Sequence, residues 1–295
     1  MGFLPFLVAI VLVLAVVVAS SLATSSRKGH ESGAHRPARL RTKDKAQILK
    51  EANRRLASNP KDVDALAALG GVHWDDQDWE RALKTYETLA EAGAGNPEVD
   101  EFTANMRYGV AAVRLGRLDE AYKGLVVARS IKQDDFEVNF NLGFLEFQKK
   151  AYEKAVLLLR QASVANPDHP STLRYLGHSY FKVKSYKDAL ISLRKAIDLQ
   201  PDDKESLFAV AECYYELGNS EQALKIFTHL RADPALGPSA ALFAGTVHMN
   251  QRLYDRAIMD FEIGLRHQTA RPEVTLELKY RLAAACLKGQ DLGKA

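Results

Sequence analysis

A chain of 295 residues has room for two ordinary domains or one long array, and its 47% hydrophobic content excludes a fully disordered protein. Two well-separated cysteines, Cys213 and Cys286, exclude a disulfide framework and a four-cysteine zinc site. The formal charge of +3 is unevenly placed: residues 27–45 carry seven Lys or Arg against Glu31 and Asp44, a net +5, so residues 46–295 carry −2, which argues against a nucleic-acid-binding body.

The first element is apolar. Phe3 to Ala19 reads FLPFLVAIVLVLAVVVA, and only Ser20, Ser21 and Thr24 interrupt it before Arg27. About 20 such residues, rising about 1.5 Å each, cover a hydrocarbon core of about 30 Å. Residues 1–26 therefore read as a transmembrane anchor or signal-like segment, meeting the membrane through residues 3–23. Ser21-Leu22-Ala23 has the small-x-small form of a signal cleavage site, whereas the long apolar run with no Lys or Arg ahead of it favours a retained anchor. The basic residues all follow the span, which places the body in the cytoplasm by the positive-inside rule. Export of the body to the periplasmic side is the alternative. Residues 27–42 mix Ser, Gly, Pro, His and Arg without apolar periodicity and read as a basic flexible linker.

Next, KDKAQILKEANRRLASNP (43–60) has the register of the second helix of a hairpin, with Pro60 in the stop position. Gly33 and Pro37 bar a first helix before it, so 43–61 is expected to be an amino-terminal capping helix. Residues 62–295 repeat. Ala82, Ala121, Ala155, Ala189, Ala223 and Ala257 are spaced by 39 and then four times by 34, and Ala295 follows 38 later. Twelve residues before each stands Gly70, Gly109, Gly143, Gly177, Ala211, Gly245 or Ala283. Four after come Tyr86, Leu125, Leu159, Leu193, Phe227 and Phe261, and Gly116 and Gly218 mark turns. Small residues at such a period suit the close approach of two antiparallel helices, with large apolar residues filling in around the contact. The spacing predicts about six full repeats and a final half repeat, in which Leu276 to Lys288 is a first helix without its second. One hairpin cannot bury its own apolar face, so the units stack.

The stretches NFNLGFLEFQKKAYEKAVLLLRQASVANPDH (139–169) and RYLGHSYFKVKSYKDALISLRKAIDLQPDD (174–203) resemble tetratricopeptide repeats. The resemblance implies an all-α, right-handed superhelical solenoid of helix-turn-helix repeats, here preceded by one N-terminal transmembrane helix. The sequence departs from the family pattern at His73, at an insertion around residues 92–97 and at another around 267–275. The family's inner groove is lined by first helices, which here offers Phe140, Phe144 and Phe147, then Arg174, His178 and Phe181, then Phe208, Glu212 and Tyr215, with Asn141 and Tyr175 beside them. Such a surface implies protein or peptide partners held by aromatic anchors, with Arg174 or Lys182 reading an acidic group. The same aromatics also suit packing between hairpins. The Lys/Asn clamp with which some members bind chaperone tails is absent: Asn141 matches its middle Asn, but Met106, Val110, Ser171 and Tyr175 replace other clamp residues.

No phosphate loop, zinc-protease, nucleophile-elbow or dinucleotide motif is present. His73 with Asp75, Asp76 and Asp78 reads as a solvated turn, Trp79 as packing, and both cysteines as structural thiols. The sequence thus implies no enzyme, cofactor, metal or small-molecule substrate, and no nucleic acid. The layout suits a membrane-tethered interaction scaffold in assembly of a membrane or envelope complex. The alternatives are an adaptor for a membrane-associated protease or biosynthetic enzyme, or an exported component of a motor or secretion complex.

Overall fold

A computed structural model describes residues 42–267 and 271–292. The apolar run at 3–23, the linker up to residue 41 and Ala295 lie outside the described residues. Among the described residues, no helix is long and apolar enough to cross a membrane.

Fourteen helices follow one another among the described residues: α1 (Thr42–Ser58), α2 (Val63–Asp75), α3 (Trp79–Gly93), α4 (Glu101–Arg114), α5 (Leu118–Ile131), α6 (Phe136–Gln148), α7 (Tyr152–Ala165), α8 (Pro170–Lys182), α9 (Tyr186–Leu199), α10 (Lys204–Glu216), α11 (Ser220–Leu230), α12 (Gly237–Asn250), α13 (Tyr254–Leu265) and α14 (Pro272–Leu292). Even-numbered helices are the first (A) helices of the repeats, and odd-numbered ones the second (B) helices. Most A helices start on a side-chain cap. Asp62, Asp100, Asp135 and Asp203 accept from the backbone N–H three residues on, at 3.0–3.1 Å, and His169 does the same through Nδ1 at 3.2 Å.

Each A helix from α2 to α12 ends in one turn chemistry. Gln77, Gly116, Lys150, Lys184, Gly218 and Arg252 all have positive φ and all lie five residues before a marker alanine. The next residue's N–H reaches back five positions around the bend: Arg117 donates to the Ala112 carbonyl at 2.9 Å, and Ser185 to that of Tyr180 at 2.9 Å. Glycine makes this conformation easy at 116 and 218; the bulkier residues adopt it because the hairpin holds them there.

The hairpins close on small-against-large contacts. Gly109, Gly143 and Gly177 lie against Leu125, Leu159 and Leu193, and a Cβ at any of the three would stand 2.5–2.7 Å from the leucine Cγ. Every marker alanine from Ala82 to Ala257 is buried, as is the large residue four positions on. Each B helix packs between its own A helix and the next one, which makes the stack continuous.

Three junctions depart from the regular loop length, the last of them between Leu265 and Pro272, where the sequence carries its second insertion. After α3 the chain loops through 94–100, where the sequence carries its insertion. After α11 it does so although the marker spacing is unchanged, because α11 ends at Leu230, three residues earlier in its repeat than α9 does. Pro234 cannot continue a helix, and its predecessor is disfavoured in one. An ion network braces this loop: buried Asp260 pairs with Arg231 and accepts from or shares a proton with His248 Nδ1 at 2.7 Å, while His267 Nε2 meets the Arg231 carbonyl at 2.8 Å.

The final half repeat differs from its expected bounds. α14 starts at Pro272 and runs through to Leu292. Gln290, which holds the place of the positive-φ residues elsewhere, stays helical. Cys286 on α14 is half-buried.

Candidate functional site

A helices of adjacent repeats touch directly, α4 with α6, α6 with α8 and α8 with α10, and successive B helices have no comparable contact. The array is therefore closed on the A side and open on the B side, and the inner face of α4–α10 is one continuous surface. Phe140, Phe144, Phe147, Arg174, His178, Phe181, Phe208, Glu212 and Tyr215 are all half-buried, while Asn141 and Tyr175 are buried.

The rings fall into two groups. Phe140, Phe144 and Phe147 gather round Tyr175 of the next repeat, with ring centroids 6.5, 5.1 and 5.4 Å away. Phe208 and Tyr215 do the same round Phe243, at 5.8 and 5.5 Å. Tyr175 and Phe243 each stand two residues before their repeat's glycine, as Asn141 does, so one repeat position receives the neighbouring rings. That register was available from the sequence, and it would have found Phe243. Phe136 and His169 extend the first group: Phe136 stacks on Phe140 at 5.9 Å, and His169 meets both edge-on at 5.0 and 4.9 Å. Asn141 is tied down by donating Nδ2 to the Glu137 carbonyl at 2.7 Å.

Between the aromatic groups lies a polar stretch. Arg174 is committed, with Nη1 3.9 Å from Asp203 Oδ2 and its guanidinium 5.1 Å from the Tyr175 ring centroid. Lys182 is exposed and lies over the Phe181 ring at 5.5 Å. Burial against the concave wall pushes His178 down to about 4, helped by the Arg174 and Lys182 charges, so it is a neutral donor and acceptor at pH 7. Burial likewise pushes Glu212 up to about 7, with Lys182 opposing and Glu216 adding to the rise. The middle of the groove thus holds a neutral imidazole and a carboxyl that titrates near neutrality.

Among the described residues, no three His, Cys, Asp or Glu side chains converge as a metal site, and Cys213 and Cys286 are free. Burial pushes the Cys213 thiol up to about 12, the opposite of an activated nucleophile.

Known proteins agree with this architecture. Residues 49–97 and 180–244 match family models for the tetratricopeptide repeat. No curated protein sequence matches the chain. Among solved structures, YrrB, a TPR protein with an unusual peptide-binding site, is similar with a TM-score of 0.56 at 20% identity, over 64% of this chain and 96% of that one. A crystal structure of MamA is similar with a TM-score of 0.50 at 18% identity, over 54% of this chain and 94% of that one. At these identities the likeness is one of fold. The described chain is an all-helical solenoid of stacked hairpins, and its residues 49–97 and 180–244 match the tetratricopeptide repeat.

Proposed function

We propose that this protein is a non-catalytic, membrane-tethered scaffold that takes a segment of a partner protein along the inner face of α6, α8 and α10. The observation that carries the reading is the half-exposed pair His178 and Glu212, set between two aromatic groups on one continuous inner face. A neutral imidazole and a carboxyl that titrates near neutrality, framed by rings, suit a peptide backbone and its side chains better than they suit a reaction. The tether is the apolar run at 3–23, and the basic residues that follow it put the solenoid on the cytoplasmic side. A scaffold so placed works in the assembly of a membrane or envelope complex.

Placing a photo-crosslinking residue at His178 in native membranes, with Lys195 on the B side as control, tests this. A discrete partner adduct from His178 alone is the expected outcome. Adducts from Lys195 alone, or equal adducts from both, would overturn the assignment of the groove.

A further inference from the structure

Glu212 sits in the middle of the groove without an ion-pair partner among the described residues, and Lys182 acts on it only from beyond ion-pair distance. We propose that Glu212 anchors a lysine or arginine of the bound segment, and that a large apolar residue beside that cation enters the aromatic group round Tyr175. This rests on the groove being the working surface and adds the chemistry of its occupant.

Charge along the inner face favours a cationic guest. Glu205, Glu212 and Glu216 are separated by seven and four residues, so they share one side of α10. Glu205 and Glu216 are exposed, and among the described residues neither has a cation within ion-pair distance. Of the cations on α8 and α10, Arg174 lies 3.9 Å from Asp203 and Lys204 2.8 Å from Asp233. That leaves Lys182, which leans over the Phe181 ring, against three carboxyls. His178 is neutral at pH 7, and α12, the next A helix, carries no Lys, Arg, Asp or Glu. Arg174 and Lys182, which the sequence offers to an acidic guest, are thus outweighed.

The groove already contains the kind of contact that a guest cation would make. Arg174 lies over the Tyr175 ring, 5.1 Å from its centroid, and pairs with the Asp203 carboxylate. A cation is held there between a ring and an acid. Around Glu212 the ring and the acid recur. Phe208 stands four residues before it and Tyr215 three after, so both share its side of the helix. The stem of a lysine or arginine packs along such rings while its charged end reaches the carboxylate. Burial raises Glu212 to about 7 and Lys182 only partly opposes the rise, so a closer cation from a guest would draw the carboxyl into its ionised form. Phe144 and Tyr175, 5.1 Å apart, then take the neighbouring apolar side chain.

The test uses the full chain in detergent and a library of random short peptides displayed on phage. Selected peptides should share a Lys or Arg with a large apolar residue a few places away. Glu212→Gln keeps the shape and removes the charge, and it should weaken a selected peptide about tenfold by fluorescence anisotropy. Added salt should weaken binding to the parent more than to this variant. Phe144→Ala should weaken the same peptide. Selected peptides that are acidic or uncharged, or that bind the Glu212→Gln chain as tightly as the parent, would overturn the role of Glu212; loss of their binding in Phe144→Ala would leave the groove itself standing. No binder from the library, or binders indifferent to both substitutions, would overturn both.

Discussion

Gly177 and Ala283 hold the same place in the repeat, yet one is buried against Leu193 in the middle of the array and the other is exposed at its end. The residues around them are of the same kinds. What differs is the neighbour. In a solenoid, the hairpin stacked next to a face decides whether that face is core, groove or free surface, and the repeat sequence alone does not.

The largest effect should separate middle from end most clearly. Leu193 is fully buried, so Leu193→Ala should cost about 2–5 kcal/mol, the range for a cavity left by a buried leucine. Leu287→Ala on the exposed side of α14 should stay within about 0.5 kcal/mol. Urea unfolding of the two variants measures both, and equal losses would break the comparison. Asp260→Ala comes next, at about 3 kcal/mol, because it strands His248 and Arg231 beside a buried site. A thermal shift as small as that of a surface variant would show that the loop after α11 is not braced there. Gly177→Ala should cost about 1–3 kcal/mol, since its Cβ would meet Leu193 Cγ at 2.5 Å. Ala283→Val, at the equivalent open place, should be nearly silent in dilute protein.

Smaller still is the turn. Lys184 has φ 65°, where a side chain is strained, so Lys184→Gly should gain up to about 1 kcal/mol and Gly116→Lys should lose a similar amount. The groove pair gives opposite pH trends. Glu212 is raised to about 7, so its ionisation costs stability as pH rises from the usual carboxylate range through 7. His178 is lowered to about 4, so the stability of its neutral form is lost as pH falls from the usual histidine range through 4. Melting temperatures of Glu212→Gln should exceed those of the parent above pH 7 and converge with them near pH 4. A gain that is independent of pH would argue against the shift.

Much of this fold is legible in the residues. The small-to-large pairs such as Gly143 with Leu159 are fixed by their sixteen-residue separation, and Gly116 and Gly218 point to the turn. The turn at Lys150 and Lys184 is less so, because tertiary packing there overrides an unfavourable local conformation. The short α11 is hidden by an unchanged marker spacing, and only Pro234 hints at it. In the groove, the side chains can be placed by register, but their partners cannot. Phe140 and Phe147 meet Tyr175 through a neighbouring repeat, and the shifts of His178 and Glu212 come from a concave wall that exists only once the hairpins stack.

The two native thiols test the contrast of middle and end most directly. Cys213 is fully buried on α10, and Cys286 is half-buried on α14. Maleimide labelling of the dilute, folded, full-length protein at neutral pH should modify Cys286 readily and leave Cys213 unmodified until denaturant is added. Equal labelling of both thiols, or protection of both, would contradict a continuous central stack with an open final helix.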